Sequence, residues 1–245
     1  MKPRLFLLIL LAGFAALPSS AWADAIYNVS LDTSNLIGNT AGPFSLDFQF
    51  NDGSGTNDGN NTVTLSNFAF GAGGPTGSAV TNGSVSGDLT SSVTLTDSDF
   101  FNEFTQTFTP GSTLVFTIDL TTNVDAGGVP DEFTFAILDS TDAEIPTLGP
   151  FDTVLLADID SSSPALFGYA SDPSRGTAAT GDTLAFDAPV VTSPVPEPSV
   201  LWMSASGLAI LALRRRSKMV AQSLRTDGAG SGENYRAAQS LGGRR

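Results

Sequence analysis

Apolar and polar residues alternate along several short segments of the chain. The clearest segments are Tyr27–Leu31, Phe44–Phe50, Leu114–Leu120 and Phe133–Ile137. Successive side chains of a strand point to opposite faces, so each segment predicts a strand with one apolar and one polar face. The same alternation runs over shorter lengths at residues 93–95, 154–159 and 184–186.

One further segment changes phase along its length. Val63 and Leu65 fall on one face of a strand, whereas Phe68 and Phe70 fall on the other. A β-bulge adds one residue to a strand and so reverses the faces that follow it. The pattern therefore predicts a bulge or break near residues 66–67.

The alternating segments are separated by loops rich in Gly, Asn, Asp, Ser and Thr, and no apolar stripe of helical period lies between them. Seven or eight short strands with such turns predict an all-β fold, an antiparallel β-sandwich or jelly-roll-like domain. Most phenylalanines fall on the apolar faces and are expected to form its core.

Both ends of the chain carry membrane-directed patterns. Lys2 and Arg4 precede an apolar run, and Ala21 and Ala23 have the small side chains that a signal peptidase recognises. Residues 1–23 are therefore interpreted as a cleaved signal peptide, because the apolar run is short for a membrane span. The alternative is a retained N-terminal anchor.

The predicted β domain covers residues 24–188 and is followed by a proline-rich linker at 189–199. Residues 200–216 form an apolar segment closed by three arginines, and residues 217–245, rich in Gly, Ser and Arg, are predicted to be disordered. A helix over residues 200–213 is roughly 21 Å long, short of a hydrocarbon core of about 30 Å. That length favours a temporary membrane tether.

The formal net charge of −14 is unevenly distributed. Residues 24–198 contain Arg175 as their only cation against 23 acidic residues, whereas residues 199–245 carry a net charge of +6. A domain with one cation repels phosphate backbones, so nucleic-acid binding is excluded. Cysteine is absent from the chain, which excludes disulfides and lipidation at an N-terminal cysteine.

The C-terminal pattern resembles the PEP-CTERM sorting signal of exported bacterial proteins. The resemblance rests on Pro196, Glu197 and Pro198, on the apolar segment after them, and on the cluster Arg214, Arg215 and Arg216. It implies cleavage near Pro-Glu-Pro by a membrane-embedded exosortase, with the arginines as the membrane stop. Arginines at that position also satisfy the positive-inside rule. The alternative is an ordinary C-terminal anchor.

This resemblance implies an exported protein with three kinds of partner: signal peptidase, exosortase and, transiently, the inner membrane. Its final location would be the cell surface or the extracellular matrix, with a structural or interaction role linked to exopolysaccharide. The extension at 217–245 departs from the family pattern, which stops soon after the arginines.

The beginning of the β domain carries a second resemblance. The run Tyr27-Asn28-Val29-Ser30-Leu31-Asp32-Thr33-Ser34-Asn35-Leu36 resembles the opening shared by a group of PEP-CTERM proteins. No activity is assigned to that group, so this resemblance implies a common domain without implying a reaction.

Most catalytic chemistry is excluded by composition. The chain has no His and no Cys, and the β domain has no Lys, which excludes nucleophile schemes built on those residues and zinc sites built on His or Cys. No catalytic residue is therefore assigned, and the protein is expected not to be an enzyme.

Carboxylate chemistry remains as an alternative. Asp32-Thr33-Ser34 and Asp139-Ser140-Thr141 resemble the paired elements of aspartic proteases, although turn-forming Asp residues explain them as well. Asp158 and Asp160 fit a pair of glycosidase carboxylates, or a solvated strand edge.

Binding chemistry is indicated most clearly in the loop at residues 51–61. This loop is rich in Asn, Asp, Ser and Thr oxygen ligands that suit Ca²⁺, although their spacing is not that of an EF-hand, and a flexible hairpin explains the same composition. No metal ligand is assigned. A calcium-dependent carbohydrate-binding module is the alternative function. Trp22 and Trp202 lie outside the β domain, so the sequence shows no evident platform for sugar stacking.

Overall fold

The computed structural model describes residues 24–124, 128–161 and 163–193. These residues form two antiparallel sheets, and their only helices are two short 3₁₀ turns at Ser34–Leu36 and Pro150–Asp152. The prediction of an all-β fold is confirmed, and the arrangement is consistent with a β-sandwich. The signal peptide predicted at residues 1–23 and the helix predicted at 200–216 lie outside the described residues.

Thirteen strands form within the described part of the chain. They are β1 (Ala25–Asp32), β2 (Phe44–Asn51), β3 (Thr62–Ala69), β4 (Gly74–Pro75), β5 (Val80–Asn82), β6 (Val85–Gly87), β7 (Ser92–Thr96), β8 (Phe101–Thr109), β9 (Thr113–Leu120), β10 (Glu132–Leu138), β11 (Leu155–Asp158), β12 (Phe167–Gly168) and β13 (Val190–Thr192).

The first sheet has the strand order β13-β1-β9-β3-β7-β6. The second sheet has the order β12-β11-β10-β2-β8-β4, and β5 also pairs with β8. The chain passes from one sheet to the other at each step from β1 to β4, between β5 and β6, at each step from β7 to β10, and between β12 and β13. Because consecutive strands alternate between the sheets, both sheets contribute side chains to one shared core.

Phenylalanine rings fill the space between the sheets. Phe48 from β2 has no exposed surface, and its ring centroid lies 4.8 Å from that of Phe135 and 5.5 Å from that of Phe116. Phe135 belongs to the second sheet and Phe116 to the first, so these contacts join the two sheets. The expectation that the strand phenylalanines form the core is confirmed at these positions.

The predicted phase change in β3 is present. Its pairing with β9 shifts register between Ser66 and Ala69, and Asn67 has a positive φ of 57°. Asn tolerates this left-handed conformation better than most residues. The irregularity lets Val63 and Leu65 face the core while the residues after Asn67 pair in a new register.

Strand β8 is the main element that the alternation pattern missed. Its buried side is Asn102, Phe104, Gln106 and Phe108, so polar and aromatic residues alternate on the same inner face. The Asn102 amide nitrogen donates to the carbonyls of Phe50 and Asp99 at 3.0 and 2.7 Å. Buried amides are tolerated here because backbone groups satisfy them.

Two features near the C-terminal end of the β domain differ from the sequence pattern. Residues 184–186 form no strand, although Leu184 and Phe186 are buried, and the Phe186 backbone bonds to the hydroxyl of Ser171. The sheet also extends past residue 188, because β13 pairs with β1 along the register Asn28↔Thr192. A strand of three residues at a sheet edge carries too little alternation to be recognised in a proline-rich stretch.

Candidate functional site

The residues assigned to export and sorting lie outside the described part of the chain. They are Ala21, Ala23, Pro196, Glu197, Pro198, Arg214, Arg215 and Arg216. Among the residues that the structure does describe, no helix is both long and apolar enough to cross a membrane.

The carboxylates considered for catalysis lie in turns and at exposed positions. Asp32 accepts a bond from the Ser34 backbone N–H at 2.9 Å, and Asp139 accepts bonds from the backbone N–H groups of Thr141 and Ala179 at 2.8 and 2.7 Å. The bonds from Ser34 and Thr141 are those that turn-forming Asp residues make, whereas the bond from Ala179 ties Asp139 to a distant segment of the chain. Asp158 and Asp160 are exposed at and just beyond the end of β11.

A polar groove runs over the outer face of the second sheet. Its floor comes from β2 and β10, whose register pairs Asn51 with Glu132 and Gln49 with Thr134. Alternate residues of a strand share a face, so these four side chains point away from the phenylalanine core. The groove encloses about 250 Å³ and is lined by Gln49, Asn51, Glu132, Thr134, Ala136, Glu144, Phe151 and Thr153.

Phe151 stands at the rim of this outer groove with 87 % of its surface exposed. It follows Pro150 in the second 3₁₀ turn and has a φ of 50°, and Asp152 after it has a φ of 56°. Two consecutive positive φ values in residues other than glycine are unusual and require support from neighbouring bonds.

Arg175 supplies part of that support. Its guanidinium forms an ion pair with Asp152 and donates to the Thr147 carbonyl at 2.8 Å and to Asp172 at 3.0 Å. Arg175 is the only cation in residues 24–198, and it is used to hold the loop that carries Phe151. The aromatic ring is thereby presented from a fixed turn.

Among the residues that the structure describes, no cation neutralises the carboxylates next to the groove. Asp47 lies on the same face of β2 and is 2 % exposed; burial raises its pKa to about 7, and the charges of Glu103 and Glu144 add to the shift. Gln49 donates to it at 2.7 Å. Burial, followed by the charge of Asp158, also raises the pKa of Glu132. The groove is therefore suited to ligands that donate hydrogen bonds and carry no negative charge.

A second polar group lies where the strands end. We call Asp52, Asp97 and Asp131 the aspartate cluster; each is at most 2 % exposed. Asn61 joins two of them, because its backbone N–H donates to Asp97 at 3.0 Å and its side-chain amide donates to Asp131 at 2.7 Å. Burial raises the pKa of Asp97 to about 7, and the neighbouring charges of Asp131 and Asp58 act in the same direction.

Neither polar region is a metal centre built from charged side chains alone. Over residues 24–124, 128–161 and 163–193, no three His, Cys, Asp or Glu side chains are grouped so as to hold a metal ion. A cation at the aspartate cluster would need amide, backbone or water oxygens as well, which Ca²⁺ accepts readily.

A larger hollow of about 400 Å³ lies beside the first 3₁₀ turn. Its lining includes Asn35, Leu148 and Pro173, with Asp32 and Asp187 as its charged residues. The one aromatic residue in the lining, Phe186, is 7 % exposed and has little surface free for stacking. The hollow therefore offers less recognition chemistry than the outer groove.

The sequence contains a weak signal for the groove. Phe151 lies outside every alternating segment and between Pro150 and Asp152, where it has no strand face to occupy. A phenylalanine in such a turn is a candidate for an exposed ring. The sequence-based search for a stacking platform considered only Trp22 and Trp202 and therefore missed Phe151.

Known proteins give no further assignment. No family model matches the chain, and no curated protein or solved structure matches it either.

Proposed function

We propose that the protein is an exported, non-enzymatic component of the cell surface or extracellular matrix, where its β-sandwich binds exopolysaccharide. The outer groove is the main support for this binding role, because it places an exposed aromatic ring beside a row of polar side chains. Sugars present both hydroxyl groups and apolar ring faces, which match amide and carboxylate acceptors on one side and a phenylalanine ring on the other.

The charge of the groove narrows the class of glycan. Glu132 and Glu144 line it, Asp47 lies beside it, and Arg175 is bound to Asp152 and Asp172. A uronate-rich polysaccharide would be repelled, since no cation of the described residues faces the groove. A polysaccharide of neutral sugars is the ligand that the groove favours.

Replacing Phe151 by alanine is expected to weaken binding to a neutral polysaccharide roughly tenfold, because loss of one aromatic contact removes about 1.4 kcal/mol. The measurement is retardation of the full chain in native gels that contain barley β-glucan or galactomannan, compared with gels that contain alginate. Unfolding temperature should stay unchanged, because the side chain is 87 % exposed.

Phe100→Ala is the matched control for this substitution. Phe100 is 61 % exposed and is not part of the groove lining, so retardation should equal that of the unmodified protein. Absence of retardation in every neutral gel would contradict the binding role, as would stronger retardation by alginate. Chromatography of the incubated polysaccharide tests the non-enzymatic part, and shortened products would contradict it.

Sorting is the second part of the proposal and rests on the sequence pattern around Pro196, Glu197 and Pro198. The three-part N-terminal pattern with Ala21 and Ala23 supports export, and the arginines at 214–216 support a transient membrane stage. Release by an exosortase would leave the β domain outside the cell.

Replacing Glu197 by alanine is expected to leave the full-length chain in the membrane fraction of a bacterium that has an exosortase. The reason is that the enzyme would lose the one charged side chain of its recognition motif. Intact mass of the released and membrane-bound protein is the measurement, and Pro194→Ala in the same linker is the control. Release of Glu197→Ala at the normal rate would contradict recognition at this motif.

A further inference from the structure

The outward face of the second sheet continues past the outer groove onto β8 and β5. Thr134 of β10 lies opposite Gln49 of β2, and both residues line the groove. Gln49 lies opposite Glu103 of β8, which in turn lies opposite Asn82 of β5. Residues that lie opposite each other on neighbouring strands share one face of the sheet. The four side chains therefore form a row that begins in the groove and crosses β8 to β5.

A second row runs beside the first and ends in an aromatic ring. Glu132 lies opposite Asn51, which also lines the groove, and Asn51 lies opposite Phe101 at the start of β8. Phe101 is partly exposed on the outward side of β8, one strand spacing of about 4.8 Å from Asn51. Phe151 belongs to the turn before β11, and in the sheet order β11 and β8 flank the pair of β10 and β2 on opposite sides. The face therefore offers two rings, one from each side of the groove floor.

The open part of this face is a narrow strip. The residues of both rows on β2, β8 and β5 are exposed or partly exposed. Farther along the same face of β2, Asp47 and Ser45 are 2 % and 5 % exposed, so this side of the strip is closed. On the other side, β2 ends at Asn51 and β8 begins at Phe101. The two rows are about 6.8 Å apart, because residues two positions apart on a strand are separated by twice its rise. That width suits one extended chain lying across the strands.

The chemistry of the strip selects the class of chain that can lie on it. Burial, and then the charge of Glu144, raises the pKa of Glu103, so Glu103 lies within electrostatic reach of a residue that lines the groove. Glu132 adds a second carboxylate, whereas Arg175, the only cation of residues 24–198, is held in ion pairs with two aspartates. Carboxylates repel an anionic chain but accept hydrogen bonds from hydroxyl groups, and Phe101 offers an apolar surface to a sugar ring. A neutral glycan chain matches these properties.

We propose that the outer groove extends over β8 to Phe101 and Asn82 and binds several consecutive sugar residues of a neutral polysaccharide. This extension rests on the glycan-binding role proposed above, and it defines the length of chain that the site takes. Three strand spacings place Thr134 about 14 Å from Asn82, which corresponds to about three hexose residues of an extended chain. A longer chain gains contacts with each strand that it crosses, whereas a disaccharide reaches only part of the strip.

Titration calorimetry of the full chain with oligosaccharides of graded length tests the extension. The probes are cello- and manno-oligosaccharides from the disaccharide to the hexasaccharide, with intact barley β-glucan and galactomannan as polymers. Affinity should rise roughly tenfold between the disaccharide and the tetrasaccharide, because one further ring contact contributes about that factor, and by less than about twofold beyond it. Equal affinity at every length, with binding of the polymers retained, would overturn the extension alone. Binding to none of these glycans would overturn the glycan-binding role and the extension together.

Two variants show whether the chain crosses β8. Phe101→Leu keeps an apolar side chain but removes the aromatic face, so it should abolish the roughly tenfold gain with length and leave disaccharide affinity unchanged. Equal weakening at every length would contradict this role, because a purely structural defect has that effect.

Asn82→Ala, at an exposed position, should lower hexasaccharide affinity roughly threefold through the loss of one hydrogen bond. Phe100→Leu is the matched control for Phe101→Leu, because Phe100 precedes β8 and its ring lies beside Gly55. It should keep the full gain with length. The same full gain in both Phe101→Leu and Asn82→Ala would overturn the extension.

Discussion

Replacing Phe48 by alanine is expected to lower the free energy of unfolding by about 3 to 5 kcal/mol. The ring has no exposed surface, and it is the hub of the aromatic core. Its centroid lies within 6.4 Å of five other rings, those of Phe68, Phe104, Phe116, Phe133 and Phe135. These rings come from both sheets, so the cavity could close only if the sheets moved together, which the packed strands oppose.

Urea unfolding followed by far-UV circular dichroism measures this change. Phe100→Ala removes the same side chain from a position that is 61 % exposed and should change the free energy of unfolding by less than about 0.5 kcal/mol. Equal losses in the two variants would show that Phe48 does not link the sheets as described. A denaturant slope common to all three proteins would make the comparison direct.

Unfolding free energy is expected to fall by about 2 to 4 kcal/mol between pH 4 and pH 8 on account of Asp47 alone. Burial raises the pKa of this carboxyl to about 7, whereas it titrates near 3.8 in the unfolded chain. Between these values the folded state holds a proton that the unfolded state has released. The folded state is therefore favoured at low pH and loses that advantage as the pH rises through the folded pKa.

Asp47→Asn isolates this contribution, because the amide is uncharged at every pH. The variant should equal the unmodified protein near pH 4 and exceed it at pH 8, with EDTA present in all samples. Glu103 and Glu144, which oppose ionisation of Asp47, are retained in both proteins. Asp160→Asn removes an exposed carboxylate and serves as the control for the loss of one acidic side chain. A constant difference between Asp47→Asn and the unmodified protein across this range would contradict the assignment.

Most long strands could be predicted because their inner faces are uniformly apolar. Strands β1, β2, β9 and β10 follow this rule, and even the irregularity in β3 was visible as a change of phase. Strand β8 breaks the rule because Asn102 and Gln106 occupy its inner face. Gln106 accepts the Leu89 backbone N–H at 3.1 Å and donates to the Gly77 carbonyl at 3.2 Å, bonds that depend on distant turns and leave no periodic signal.

The two polar regions were harder to predict because they combine distant segments. The loop at residues 51–61 was recognisable as a source of oxygen ligands. Its buried partners Asp97 and Asp131 stand 36 and 70 residues after Asn61, and only the strand pairing brings them together. The outer groove likewise needs the register between β2 and β10, and its ring at Phe151 depends on an ion pair with Arg175 across the loop.

The pairing of β13 with β1 determines how the domain responds to a pulling force. Thr192 lies opposite Asn28, and Ser193 donates to the Ile26 carbonyl at 3.3 Å, so the chain leaves β13 beside the start of β1. Tension between these two ends opens an antiparallel pair one hydrogen bond at a time instead of loading all bonds together. Strand β13 would detach first at low force, while β1 keeps its eight paired positions with β9. Strand β13, with three paired positions, is therefore expected to yield before the rest of the first sheet.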